Sequence, residues 1–329
     1  MMGAILGLAA TAVVAQDQPR IPGQNPLFTD VFTADPAPMV YKDTLYLYTG
    51  HDEARGDQLF RMNDWLVFST RDMKHWTAHG PVMRATDFAW ASRDAWAMQV
   101  TEKKGKFYLY APVRVKGPPS TFAIGVAVSD TPTGPFRDAR GTPLVTNEMT
   151  KMGKTDDEDI DPTVFTDNDG TSWLAWGHFD LYLAKLKPNM TELDGPIRKI
   201  DLPNYTEGPW LHKHKGIYYL SYASIDEKAK GAERIAYATA TSMQGPWTYR
   251  GLITGKAKNS YTIHPGIVQF RNRWYLFYHN AVLNIGDQKG ATGRRAVAVD
   301  YLCHNKDGSI RFVEQTERGV TAKPPACEN

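Results

Sequence analysis

Five stretches of the chain set an ionisable side chain at or just before a proline or tryptophan: Ala34-Asp35-Pro36, Asp94-Ala95-Trp96, Asp161-Pro162, Glu207-Gly208-Pro209 and His264-Pro265-Gly266. A single Asp-Pro reads as a turn or the start of a strand. Acids recurring at one phase of a repeated unit are another matter. Pointed into a common space, they repel unless a cation, a bound ligand or a shared proton compensates. Hydrolysis of a glycosidic bond uses such a group. One carboxylic acid donates a proton to the leaving oxygen, and an ionised carboxylate activates water. A third acid tunes the donor through like-charge repulsion. Asp35, Asp161 and Glu207 are the candidates for these three roles.

The elements that must position them follow from an internal repeat. Aromatic-rich strand signals recur at Leu45–Tyr48, Phe107–Tyr110, Trp173–Trp176, Tyr218–Tyr222 and Trp274–Tyr278, most of them after a polar turn such as Lys104-Gly105-Lys106. A second signal follows one strand later at Ser69–Trp76, Ser129–Phe136 and Thr241–Trp247, more weakly at Lys187–Leu193, and as a bare turn at His304–Gly308. Strand, turn, strand, loop, strand, turn, strand at spacings of roughly 45 to 65 residues is the pattern of propeller blades. The expected fold is all-β, a five-bladed β-propeller. In that fold the innermost strand of each blade lines the central channel, and the residue opening it faces the cavity. The prolines are expected to hold Asp35, Asp161 and His264 in extended geometry at those openings.

Composition bounds the rest. With 38 basic and 36 acidic residues scattered along the chain and no long basic run, nucleic acid and a membrane surface are not expected partners. Residues 1–15 are small and apolar and precede Gln16-Asp17-Gln18; they are too short to span a bilayer. They read as a signal peptide cleaved before Gln16, which predicts export to the periplasm or beyond the cell and one catalytic domain over residues 16–329. The only two cysteines, Cys303 and Cys327, have no partner His or Cys at zinc-ligand spacing; in an exported chain they are able to pair and fasten the C-terminal tail. Nine Trp, sixteen Tyr and thirteen Phe supply rings for stacking on sugars, although most are expected to be strand core.

These motifs resemble glycoside hydrolase family 43, the five-bladed propeller arabinofuranosidases and xylosidases, over about residues 24 to 315. Thr33–Tyr41, Tyr48–Glu53, Trp65–Ser69 and Phe88–Trp96 resemble its arabinoxylan-active branch. The resemblance implies an inverting exo-glycosidase acting on arabinoxylan or xylo-oligosaccharides, α-L-arabinofuranosidase first and β-xylosidase second. Asp35 would be the general base, Glu207 the general acid and Asp161 the residue that orients and tunes it. Arg295 resembles the arginine that contacts the sugar, with Arg294 as the alternative. His264 resembles a channel histidine beside a structural Ca²⁺ held through waters, the alternative being a histidine hydrogen-bonded without metal. No organic cofactor is implied. Trp96 and Asp94 are candidates for the pocket wall, and His51 and Asp52 for its rim. Met98 and Asp180 depart from the family pattern. A fructan-active propeller would carry an Asn-Asp-Pro-Asn stretch, whereas Asn63-Asp64 is followed by Trp65. A sugar-binding propeller without catalysis would lack one of the three acids.

Overall fold

The computed structural model describes residues 20–150, 158–226 and 230–327. The proposed signal peptide and its cleavage site lie outside the described residues. Among the described residues, twenty strands form five separate antiparallel sheets. Blade 1 holds β1 (Thr33–Tyr41), β2 (Thr44–His51), β3 (Asp64–Thr70) and β4 (Thr77–Arg84). Blade 2 holds β5 (Ala91–Arg93), β6 (Gln99–Lys103), β7 (Lys106–Val115), β8 (Phe122–Ser129) and β9 (Arg137–Asp138). Blade 3 holds β10 (Thr163–Thr166), β11 (Ser172–Trp176), β12 (Leu181–Leu186) and β13 (Arg198–Ile200). Blade 4 holds β14 (Tyr205–His214), β15 (Ile217–Ser224), β16 (Arg234–Ala240) and β17 (Thr248–Thr254). Blade 5 has three strands, β18 (Gly266–Phe270), β19 (Arg273–Asn280) and β20 (Ala296–Leu302). The fold is the expected five-bladed propeller.

The aromatic strand signals of the sequence are the second strands of blades 1, 3, 4 and 5 and the long β7 of blade 2. Their side chains alternate between the two faces of each sheet and fill the wedges between blades: Tyr48, Tyr110, Trp176, Tyr219, Tyr222 and Tyr278 are each below 2% exposed. Blade 5 is completed by the chain's other end. Leu27 N–H donates to Val297 O at 2.8 Å and Thr33 N–H to Arg295 O at 2.9 Å, so the N-terminal stretch runs alongside β20. The Asn25 amide fixes it there, accepting from Val299 N–H at 2.8 Å and donating to Val299 O at 3.0 Å. Cys303 and Cys327 form a disulfide with Cα atoms 5.3 Å apart, holding the C-terminal tail against blade 5.

The strand openings differ from expectation in one respect. Asp35 and Asp161 have φ of 51° and 56°, in the left-handed region, not the extended one that a following proline favours. At Asp35 the pairing of β1 with β2 slips between Ala34 and Ala37, and β14 slips on both sides of Glu207, where Gly208 takes φ 58°. Such bulges re-aim a side chain out of the strand's regular alternation. Here the re-aimed carboxyls belong to the channel.

Candidate active site

At one end of the channel Asp35, Asp161, Glu207 and His264 meet in a cavity whose walls include Phe60, Met62, Trp96, Ile160, Thr262 and Arg295. A second, small cavity beside it is lined by Pro36, Pro162, Pro209 and Pro265 with Ala97 and Met98, and shares Asp35, Asp161 and His264 with the first. The imidazole of His264 is the hub. Its Nδ1 lies 3.3 Å from Asp35 Oδ1, and its Nε2 lies 3.0 Å from Glu207 Oε1 and 3.7 Å from Asp161 Oδ2. The ring can reach this far because Gly208 has no side chain: a Cβ there would stand 3.0 Å from His264 Cδ2.

Burial and charge compete at each group. Burial disfavours the His264 cation, yet the charges of Asp161 and Asp35 and the hydrogen bond to Glu207 outweigh it and push the imidazole up to about 10. Burial lifts Asp161 to about 7; the His264 charge opposes this, and Glu207 and Asp35 add to it. Burial would also lift Glu207, but the hydrogen bond and charge of His264 prevail and hold it below the usual range. The carboxyls therefore differ in proton affinity, and Asp161 rather than Glu207 is the one raised.

Besides His264, two groups fix Asp35. Arg295 Nη1 donates to its Oδ1 at 2.9 Å, and its backbone N–H donates to His279 Nδ1 at 3.2 Å. His279 accepts there and so carries its proton on Nε2, 3.1 Å from Thr262 Oγ1. Burial, followed by the nearby Arg295 charge, holds His279 well below the normal range, hence neutral. Arg295 is itself held by Asp52, with Nε donating to Oδ2 at 2.9 Å and Nη2 to Oδ1 at 3.0 Å. Between the two arginines the geometry selects Arg295 for the cavity. Arg294 donates to the backbone carbonyls of Lys289, Gly56 and Ala54 at 2.6, 2.8 and 3.3 Å.

Several candidates lie elsewhere. Asp52 has no exposed side-chain surface and spends its carboxylate on Arg295, so it does not reach a sugar. His51 pairs with Asp64 at 2.8 Å and lines a separate polar hollow of about 430 Å³. Asp94 does not open an innermost strand. It lies in the gap between β5 and β6, where Arg93 and Arg114 donate to it at 2.9 and 3.0 Å. Trp96 does line the cavity, its indole 3.3 Å from Phe60 O. Met98 lies in the channel wall, and Asp180 pairs with Lys199 at 2.8 Å. Sequence reasoning missed His279, Thr262, Phe60, Met62 and the buried Glu233, which is hydrogen-bonded to Glu207. His279 and Glu233 adjoin the ends of ordinary strands, and no local pattern marks them.

Asp161, Glu207 and His264 each offer a ligand atom, and these atoms lie within 4.8 Å of one another, a grouping that a metal ion can use in other settings. Here both His264 nitrogens already face carboxylates, Nδ1 that of Asp35 and Nε2 that of Glu207. A hard cation also takes six to eight oxygens. The residues as arranged do not fit direct ligation of calcium, and the imidazolium itself supplies the positive charge between the acids.

Comparison with known proteins agrees with this architecture. The model of the glycosyl hydrolases family 43 matches residues 24–310. A xylosidase/arabinosidase 43A of Humicola insolens is 33% identical over 91% of the chain and 99% of its own length. An arabinoxylan arabinofuranohydrolase of Bacillus subtilis (strain 168) is 31% identical over 92% of the chain and 66% of its own. Among solved structures, a β-xylosidase/α-arabinofuranosidase from a compost microbial metagenome, complexed with xylotriose in a calcium-free form, superposes with a TM-score of 0.78. It is 30% identical and covers 90% of this chain and 98% of its own.

Proposed function

The chain belongs to glycoside hydrolase family 43, and from that premise we propose an inverting exo-glycosidase that releases a terminal pentose from arabinoxylan or its oligosaccharides. α-L-Arabinofuranosidase is the first reading. β-Xylosidase on xylo-oligosaccharides is the second, favoured by relatives solved with xylotriose and xylose bound. The observation that carries the proposal is the single imidazole, His264, with Asp35 on one nitrogen and Glu207 on the other in the channel cavity.

In this mechanism Asp35 takes a proton from water as that water attacks the anomeric carbon. Glu207 gives a proton to the departing oxygen from the opposite face. Arg295 and the Asp35 N–H bond to His279 hold the base in one orientation. Asp161, its oxygen receiving Gly208 N–H at 3.0 Å, is held beside Glu207, where its charge when ionised favours the protonated acid. Trp96 and Phe60 form the apolar wall of the sugar site, and the 42%-exposed Tyr261, edge-on to Phe60, stands ready for the leaving sugar.

The proposal includes export directed by residues 1–15 and a single catalytic domain over residues 16–329. No helix among the described residues is long and apolar enough to cross a membrane. Incubation with arabinoxylan and, separately, with xylotriose tests the substrate. Arabinose from the polymer is the expected product; xylose from xylotriose alone would replace the first reading with the second. Absence of any free pentose would overturn both.

A further inference from the structure

Glu233 immediately precedes β16 and is 3% exposed. One of its oxygens, Oε2, accepts the Ile263 N–H at 2.9 Å, and its own N–H donates to Tyr261 O at 2.7 Å, so the residue is pinned at backbone and side chain. Its carboxyl is hydrogen-bonded to that of Glu207. Two carboxylates cannot hydrogen-bond without a proton between them, and carboxyls left bare and close would repel. The mechanism above assigns Glu233 nothing, yet it touches the group that must enter each turnover protonated.

We propose that Glu233 is a positioning residue that shares one proton with Glu207 and delivers it to the general acid. The inference rests on the assignment of Glu207 as that acid. As the glycosidic oxygen departs, the Glu207 O–H bond breaks and the oxygen gains the proton. The shared proton passes from Glu233 to Glu207 when it starts on Glu233. The pair is left with two negative charges and regains one proton from solvent, while Asp35 returns to solvent the proton taken from water. Burial and the Glu207 charge both raise Glu233 well above the usual carboxyl range, which places the resting proton there. His264 also touches Glu207, but three carboxylates hold its proton. Glu233, by contrast, shares a hydrogen bond with Glu207, along which its proton can pass as the Glu207 proton leaves. The other titratable groups facing Glu233 are Tyr205 from β14 and His264 and Tyr261 from the segment before β18. Its neighbour Arg234 is paired with Asp226.

Glu233→Gln keeps an acceptor for Ile263 and a donor for Glu207 but has no proton to give. With unactivated oligosaccharides kcat should fall at least about tenfold, while 2,4-dinitrophenyl pentosides, whose leaving group needs no proton, change less than about twofold. The alkaline limb of the kcat profile should move to lower pH, because Glu207 alone beside the His264 cation loses its proton earlier. Equal loss on both substrates with an unmoved limb would overturn the proposal. Glu207→Ala in the same series separates the two claims. If it shows no leaving-group dependence, the acid assignment fails; if it does and Glu233→Gln does not, only the proton sharing fails. Infrared spectra of wild-type protein with ¹³C-labelled glutamate need no variant to fold. A protonated glutamic acid band at neutral pH is expected, and its absence would equally overturn the inference.

Discussion

Truncating Glu207 should separate substrates by their leaving groups. Glu207→Ala is expected to lose about 10²- to 10⁴-fold on natural linkages and far less on activated aryl pentosides, measured as kcat/KM across a leaving-group series. Asp52 tests the support of the site. Without its carboxylate the buried Arg295 keeps one anionic partner, Asp35, and loses the bidentate clamp. Asp52→Ala should cost about 3 kcal/mol of stability or more in denaturant titrations, and should lower activity on aryl pentosides and polymer alike. The three acids were legible because residue type, a nearby proline and the phase in the repeat coincide at each. Phase alone misplaced Asp94, and proximity in sequence misplaced His51 and Asp52. A sequence position does not reveal whether a carboxylate is already taken by an arginine from another blade, and Asp52 and Arg295 are 243 residues apart.

Blade 3 offers a prediction for an element. Asp159 pins the short helical turn Asn147–Thr150 to β11, accepting from Thr150 Oγ1 at 2.8 Å and Trp176 Nε1 at 3.0 Å. Burial outweighs these hydrogen bonds and raises Asp159 from the ordinary 3.8 to about 6. Between those values the folded state binds more protons than the unfolded one, so this group makes stability fall as pH rises through the window. Asp159→Asn removes that slope. The difference in stability, variant minus wild type, should rise by about 3 kcal/mol between pH 3.5 and 7 in denaturant titrations; a difference that stays flat would contradict the assignment. The blades themselves were legible as elements because each aromatic strand must bury its rings between sheets. The gap in blade 2 was not, because β7 is ten residues long and pairs with both β5 and β6, a division set by its partners. The bulges at Asp35 and Glu207 also escaped, since the proline that marks a strand opening says nothing of how the partner strand slips past it.

Over the whole molecule, a ring of five sheets has to be closed, and here the closing pieces are the two chain ends. The N-terminal stretch lies beside β20, while the disulfide holds the tail by a link across 24 residues. A cross-link closing a loop of that length stabilises by about 3 kcal/mol. Cys303→Ala with Cys327→Ala should therefore lower the unfolding midpoint. kcat should stay within about twofold, because the tail packs near His214 at the far end of β14 from Glu207. A matching loss of kcat at a temperature where the variant remains folded would mean that the two ends of the channel are coupled. The number of blades and their order were readable from the repeat; the way the ring closes was not, because it depends on contacts between residues some 270 positions apart, such as Asn25 with Val299.

The central claim is that Asp35 and Glu207 work from opposite faces of one bond with water between them. The most direct test is a proton NMR time course of the purified protein with arabinoxylan oligosaccharides, read before the released sugar mutarotates. The account predicts that the pentose appears first with its anomeric configuration inverted, and that Asp35→Ala abolishes this signal. A first product of retained configuration would contradict it, because one of the two carboxylates would then have to bond to the sugar itself.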